Sequence, residues 1–138
     1  MIMYLVKLSR PDLANATREC TKVLDGATEA HWKILMRIIK FTLDTRFMAL
    51  KIEPTMDMIA NLKAISDSEF AGDKDCRISV YGYVTYYCGA IVSWKSKSGK
   101  SVTLSSTEAE YYASSEAAKE LIFISNLTSS MSIKLIKP

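Results

Sequence analysis

Cysteine, histidine and long apolar runs are all scarce in this chain, and each scarcity closes off a class of protein. The three cysteines, Cys20, Cys76 and Cys88, are widely spaced and form no C-x-x-C pair. That argues against a zinc site or a disulfide framework and fits a reducing compartment. His31 is the single histidine, with no second ligand-type residue at metal spacing, so it reads as a surface or boundary residue at a helix start and not as a catalytic group. No apolar run approaches the roughly 18 residues of a membrane span, and the opening MIMYLVKLSRPD lacks a signal-peptide plan. The expectation is a soluble, intracellular protein without a membrane partner. Charge of one sign is also scarce: a net +3 over 138 residues announces no basic arm for nucleic acid. Acidic residues are missing altogether after Glu120.

What is present divides into a helical part and a strand-rich part. Met1 to Lys7 is an apolar opening that suits either a short strand or the tail of a helix. Ser9-Arg10-Pro11-Asp12 is a helix start, since proline costs nothing in a first turn and acids favour the positive end of the dipole. The helix it opens should run to Leu24 on the stripe Leu13, Ala16, Cys20, Val23 and Leu24, and end at Asp25-Gly26. Thr28 should cap a second helix whose buried face is Trp32, Leu35, Met36, Ile39 and Leu43. Lys33, Arg37 and Lys40 then face the other way, where phosphate contact or plain solvation would explain them. KIEPTMD, with Pro54 amid polar residues, is the expected connection out of this helical hairpin.

From Met58 the period changes. MIANLKAISD predicts a strand with Asp67 at its end. RISVYGYVTYY is rich in β-branched and aromatic residues, Cys88-Gly89 supplies a turn, and AIVSWKSK continues as a third strand. These three predict an antiparallel meander. LSSTEAEYYASSEAAKE follows as a helix, with Ser105 and Glu108 in the arrangement of a capping box. Its stripe runs from Glu110 through Ala113, Ala117, Leu121 and Ile124, so a carboxylate heads a face expected to pack on a sheet. Glu110 either sits at the rim with its charge in water or has a functional role. Asn126 to Ser132 reads as a polar loop, and Ile133 to Ile136 as the start of another strand.

If the helix crosses the first strand, Asp67 and Glu110 can face each other. Two neighbouring carboxylates stay ionised most easily around a shared divalent cation, and hard oxygen ligands select Mg²⁺ or Mn²⁺. Metal-assisted phosphoryl chemistry is the corresponding inference. The competing explanation is a solvated acidic turn containing Asp67, Glu69, Asp73 and Asp75.

Several motifs occur in one order: D-x-[DE]-[WF]-A-G-D as DSEFAGD, R-x-S-x-x-G-Y as RISVYGY, then WKSK, then LSSTEAEY. Together they resemble the ribonuclease H region of copia-type retrotransposon polyproteins. LSRPDLANATREC, KVLDGATEAHW and IIKFTLDTRFMALKIEP resemble the segment that joins polymerase to ribonuclease in those polyproteins. The resemblance implies an α/β, ribonuclease-H-like fold, here incomplete, in residues 58–138, preceded by a helical connection in residues 1–57. It implies Mg²⁺-dependent cleavage of the RNA strand of an RNA–DNA hybrid, with Asp67 and Glu110 as catalytic metal ligands and Glu108 confined to capping. Partners would be the hybrid and the rest of the polyprotein, in the cytoplasm and the virus-like particle of an intact element. Lys95, Lys97 and Lys100 would approach phosphates or form a solvated turn. Phe70 stands where tryptophan is more usual. The family also needs a later aspartate in a C-D-N-like context and a further acidic residue. Neither is present, so the expectation is an inactive fragment.

Overall fold

The computed structural model describes residues 2–53, 61–73 and 76–132, in two compact units, Met1–Lys51 and Ile52–Pro138. The first contains three helices, α1 (Ile2–Leu8), α2 (Ala14–Lys22) and α3 (Glu29–Asp44), with short 3₁₀ turns at Pro11–Leu13 and Leu24–Gly26. The apolar opening is therefore helical, because its side chains are needed on one stripe: Val6 packs with Leu13 and Ile38, and Ile2, Ala14 and Cys20 close around them.

Two expected stripes are corrected here. On α3 the buried residue is Ile38, whereas Trp32, Met36 and Leu43 are exposed. Trp32, Leu35, Ile39 and Leu43 instead wall an open apolar groove of about 750 Å³ facing Leu5, Cys20 and Val23. On α2, Thr17 is buried while Ala16 is exposed, and Leu24, in the 3₁₀ turn beyond the helix, is exposed too. Periodicity found the apolar side of each helix but not which part of that side meets a neighbour. Polar groups also hold this unit. The Arg10 guanidinium, almost fully buried, donates to Asp12 Oδ2 at 2.7 Å and to Thr45 Oγ1 at 2.7 Å, tying the start of α2 to the end of α3. Its hydrogen bond with Asp12 raises the arginine pKa and lowers that of the carboxyl. Thr28 precedes α3 as expected, and its backbone N–H donates to His31 Nδ1 at 3.1 Å. The single histidine is thus part of a helix cap.

The second unit is a three-stranded antiparallel sheet in the order β1 (Leu62–Glu69), β2 (Val80–Tyr87), β3 (Ala90–Ser98), followed by the helix α4 (Ser106–Ser130). Tyr87 pairs with Ala90, so β2 and β3 are joined by a two-residue hairpin. Its central residues, Cys88 at φ 49° and Gly89 at φ 82°, have the positive φ values that match the twist of the strands. The helix packs chiefly on β1 and β2. Ala109, Ala113, Ala117 and Thr128 are its buried positions, and their small side chains let it lie close to the sheet. Strand alternation puts Tyr81, Tyr83 and Thr85, all buried, on the helix side. Two sequence expectations change. The helix does not end before Asn126 but runs to Ser130, because Thr128 belongs to its buried stripe and its hydroxyl donates to Ile124 O at 3.0 Å. Glu110 does not head the stripe; Ala109 does, and Glu110 lies exposed beside it. The expected beginning of the first strand at Met58 and the strand at residues 133–136 lie outside the described residues.

Candidate functional site

The junction of β1 and α4 is where the sequence motifs converge. The helix is started by Ser105, whose Oγ accepts from the Glu108 backbone N–H at 3.1 Å. Glu108 Oε2 accepts in turn from Leu104 N–H at 2.6 Å, one residue earlier than in the usual box. Glu108 is thus engaged in capping, and the next carboxylate, Glu110, is free to reach the strand. Ser68 Oγ donates to Glu110 Oε1 at 2.8 Å, and Ser66 and Ser114 hydroxyls approach at 3.5 Å one turn along.

Those contacts fix which face of β1 meets the helix: Ser66 and Ser68 point to it. Asp67 lies between them, exposed, so alternation turns its side chain to the other face. Its cross-strand partner is Gly82, which leaves that face open next to the carboxylate. Glu110 therefore reaches from α4 to the neighbour of Asp67, accepting from the Ser68 hydroxyl, while the Asp67 side chain lies on the face of β1 away from the helix. Among the described residues no three His, Cys, Asp or Glu side chains come together in a group able to hold a metal ion.

The remaining motif residues build the frame. Ser79, of the R-x-S-x-x-G-Y motif, is buried; its Oγ accepts from Ala71 N–H at 3.0 Å and pairs with Thr103 Oγ1 at 2.6 Å. One hydroxyl thereby joins the turn after β1 to the segment leading into α4. Tyr83 of the same motif donates from its OH to Glu120 Oε2 at 3.2 Å, and Ser93 Oγ donates to Glu120 Oε1 at 2.7 Å. Burial first, and the Glu120 charge second, push the Tyr83 pKa up to about 12. Lys95 and Lys97 belong to β3, not to a turn, and reach Glu116 Oε2 at 3.7 and 3.9 Å. Lys119 binds Glu116 Oε1 at 2.6 Å. Glu116 and Glu120 passed unnoticed in the sequence because glutamates on a helix ordinarily read as solvated; the faint signal was Lys119 three residues after Glu116.

This unit is an α/β module: a meander covered on one side by a helix that carries polar residues down to the strands. No family model matches the chain, and no solved structure matches it. The chain is 38% identical over 123 residues to the secreted RxLR effector protein 161 of Plasmopara viticola, covering 89% of this chain and 85% of that protein. It is 37% identical to the retrovirus-related Pol polyprotein from transposon TNT 1-94 of Nicotiana tabacum, covering 89% of this chain and 9% of the polyprotein. With the retrovirus-related Pol polyprotein from transposon RE1 of Arabidopsis thaliana it shares 33% identity over 99% of this chain and 9% of the polyprotein. The chain belongs to one family with that Plasmopara viticola protein, and its similarity to retrovirus-related Pol polyproteins of copia-type transposons supports a retrotransposon polyprotein fragment. It spans about a tenth of the polyproteins it matches, and among the described residues no helix is long and apolar enough to cross a membrane.

Proposed function

We propose that the chain is the portion of a transposon Pol polyprotein that connects polymerase to nuclease, in residues 1–57, and opens the ribonuclease H domain, in residues 58–138. That domain hydrolyses the RNA strand of an RNA–DNA hybrid with Mg²⁺ or Mn²⁺. In this reading Asp67 and Glu110 are the part of the catalytic metal set that the chain supplies, and by itself the chain binds the ion weakly or not at all and does not cleave. The observation that carries the reading is the hydrogen bond from Ser68 to Glu110, 2.8 Å, which sets the LSSTEAEY helix on the strand of the DSEFAGD motif. The same geometry favours a non-catalytic role for the isolated chain, as connector, binding module or element relic: two carboxylates on opposite sides of β1, with no acidic residue after Glu120, do not surround an ion.

The test is cleavage of a labelled RNA–DNA hybrid in Mg²⁺ or Mn²⁺, beside a control carrying Asp67→Asn and Glu110→Gln. The chain and its control should be equally inactive; cleavage that the control loses would overturn the non-catalytic reading. Fusion to the following segment of a homologous polyprotein should give cleavage that the two substitutions abolish. A fusion without activity would overturn the nuclease assignment.

A further inference from the structure

Because α4 packs chiefly on β1 and β2, β3 stands to the side of the helix. Its helix-side positions Ser93, Lys95 and Lys97 pair with Thr85, Tyr83 and Tyr81. Lys95 and Lys97 rise from this strand and Lys119 from the helix, and all three ammonium groups converge on the single carboxylate of Glu116, at 3.7, 3.9 and 2.6 Å. The lysine side chains are 46, 35 and 69% exposed, whereas that of Glu116 is 18% exposed. The negative charge thus lies at the bottom and the positive charges at the surface. Glu120, one turn further on, directs its carboxylate to Tyr83 and Ser93, and the cluster stays cationic with it included. Exposed Tyr111 and Tyr112 lie on the preceding turn of the same helix.

We infer that Lys95, Lys97 and Lys119 form a binding surface for the phosphodiester backbone of nucleic acid, with Glu116 as the positioning residue that gathers the three cations and limits their affinity when no nucleic acid is bound. Glu116 and Glu120 together cannot neutralise three ammonium groups, so a net positive charge remains at the surface for an anion of regularly spaced charge. A backbone phosphate approaching from solvent meets lysines first and the carboxylate last. Each lysine released from Glu116 gains a phosphate partner and displaces a counterion from the nucleic acid. The choice of nucleic acid over another polyanion rests on the proposed function, whereas the surface is measured by binding and does not require cleavage.

The experiment uses the 138-residue chain and a fluorescent RNA–DNA hybrid, with anisotropy titrations from low to moderate salt and no divalent metal. The variant with Lys95, Lys97 and Lys119 all changed to Gln should bind more weakly, and its slope of log affinity against log salt should flatten by about 0.9 per lysine. The corresponding triple Arg variant should retain binding and slope. Glu116→Gln should bind about 3-fold more tightly, the effect of removing one like-charge repulsion at about 6 Å in water. Circular dichroism of each variant guards against unfolding, and the Arg triple and Glu116→Gln decide the matter if the Gln triple fails to fold. An unchanged salt slope in a folded Gln triple, unchanged or weaker binding by Glu116→Gln, or binding to anionic lipid vesicles but not to the hybrid would each overturn the assignment. Binding that behaves as expected in a chain whose fusion never cleaves would leave this surface standing while the nuclease reading fell.

Discussion

Glu120 should be the polar residue that fastens α4 to the sheet, and its removal gives a sharp test of how this unit is held. The carboxylate accepts from Tyr83 OH at 3.2 Å and from Ser93 Oγ at 2.7 Å, so one helix residue grips β2 and β3 together. Hydrogen bonds to a charged group contribute about 1.5–3 kcal/mol each. Glu120 is half-buried, so solvent screening brings both bonds below that range, to about 1 kcal/mol each. Glu120→Ala also leaves the hydroxyl of buried Tyr83 without its acceptor, so the expected loss is about 2–3 kcal/mol. Tyr83→Phe removes one bond and no bulk, and should cost about 1 kcal/mol. In the double variant that bond is lost only once, which predicts a coupling of about 1 kcal/mol. Urea titrations followed by far-ultraviolet circular dichroism, with equal m-values as the check on comparable unfolding, measure all four corners of the cycle. Additive losses would show that Tyr83 and Glu120 do not act as one unit, and would refute the assignment of the helix anchor to this pair.

The same tyrosine predicts a pH dependence. Its pKa in the folded protein, about 12, lies above the usual value near 10, so the unfolded chain loses this proton first; the contribution is complete below pH 10 and is lost as pH rises from 10 to 12. Stability curves over that window should fall less steeply for Tyr83→Phe than for the parent, and identical slopes would contradict the shift. Ser105→Ala removes the acceptor for Glu108 N–H and should cost about 1 kcal/mol of helix stability, read in the same urea titrations; a loss below about 0.2 kcal/mol would show that Glu108 caps α4 without it. Thr85 is fully buried and its Oγ1 lacks a hydrogen-bond partner among the described residues, so Thr85→Val should raise the melting temperature by relieving an unmet polar group. A lower melting temperature would mean that the hydroxyl is satisfied.

Much of the second unit is legible in the sequence. β-Branched and aromatic alternation marks β2 and β3, Cys88-Gly89 marks the turn, and Ser105 with Glu108 marks the start of α4, because each depends on contacts within a few residues of chain. Less of the first unit is legible. The apolar residues of α3 are numerous enough to make a broad stripe, and whether Ile38 or Trp32 is covered depends on where α1 and α2 lie. The end of α4 is hidden for a related reason: Asn126-to-Ser132 is polar in composition, yet Thr128 is buried and returns its hydroxyl to the helix backbone.

Asp67 and Glu110 show the division most clearly. The sequence by itself determined that a strand bearing Asp67 precedes a meander and a capped helix bearing Glu110, since period, turn chemistry and capping are local properties. It could not determine which strand residue meets the helix, because a shift of one position reverses the face of every side chain. Only the tertiary structure decided that Ser68 holds Glu110 while Asp67 turns to the other face, and that Glu116, an unremarked helix residue, collects three lysines from two elements. Such pairings depend on the angle and register at which α4 lies on the sheet, and these are set by the close contact its alanines allow.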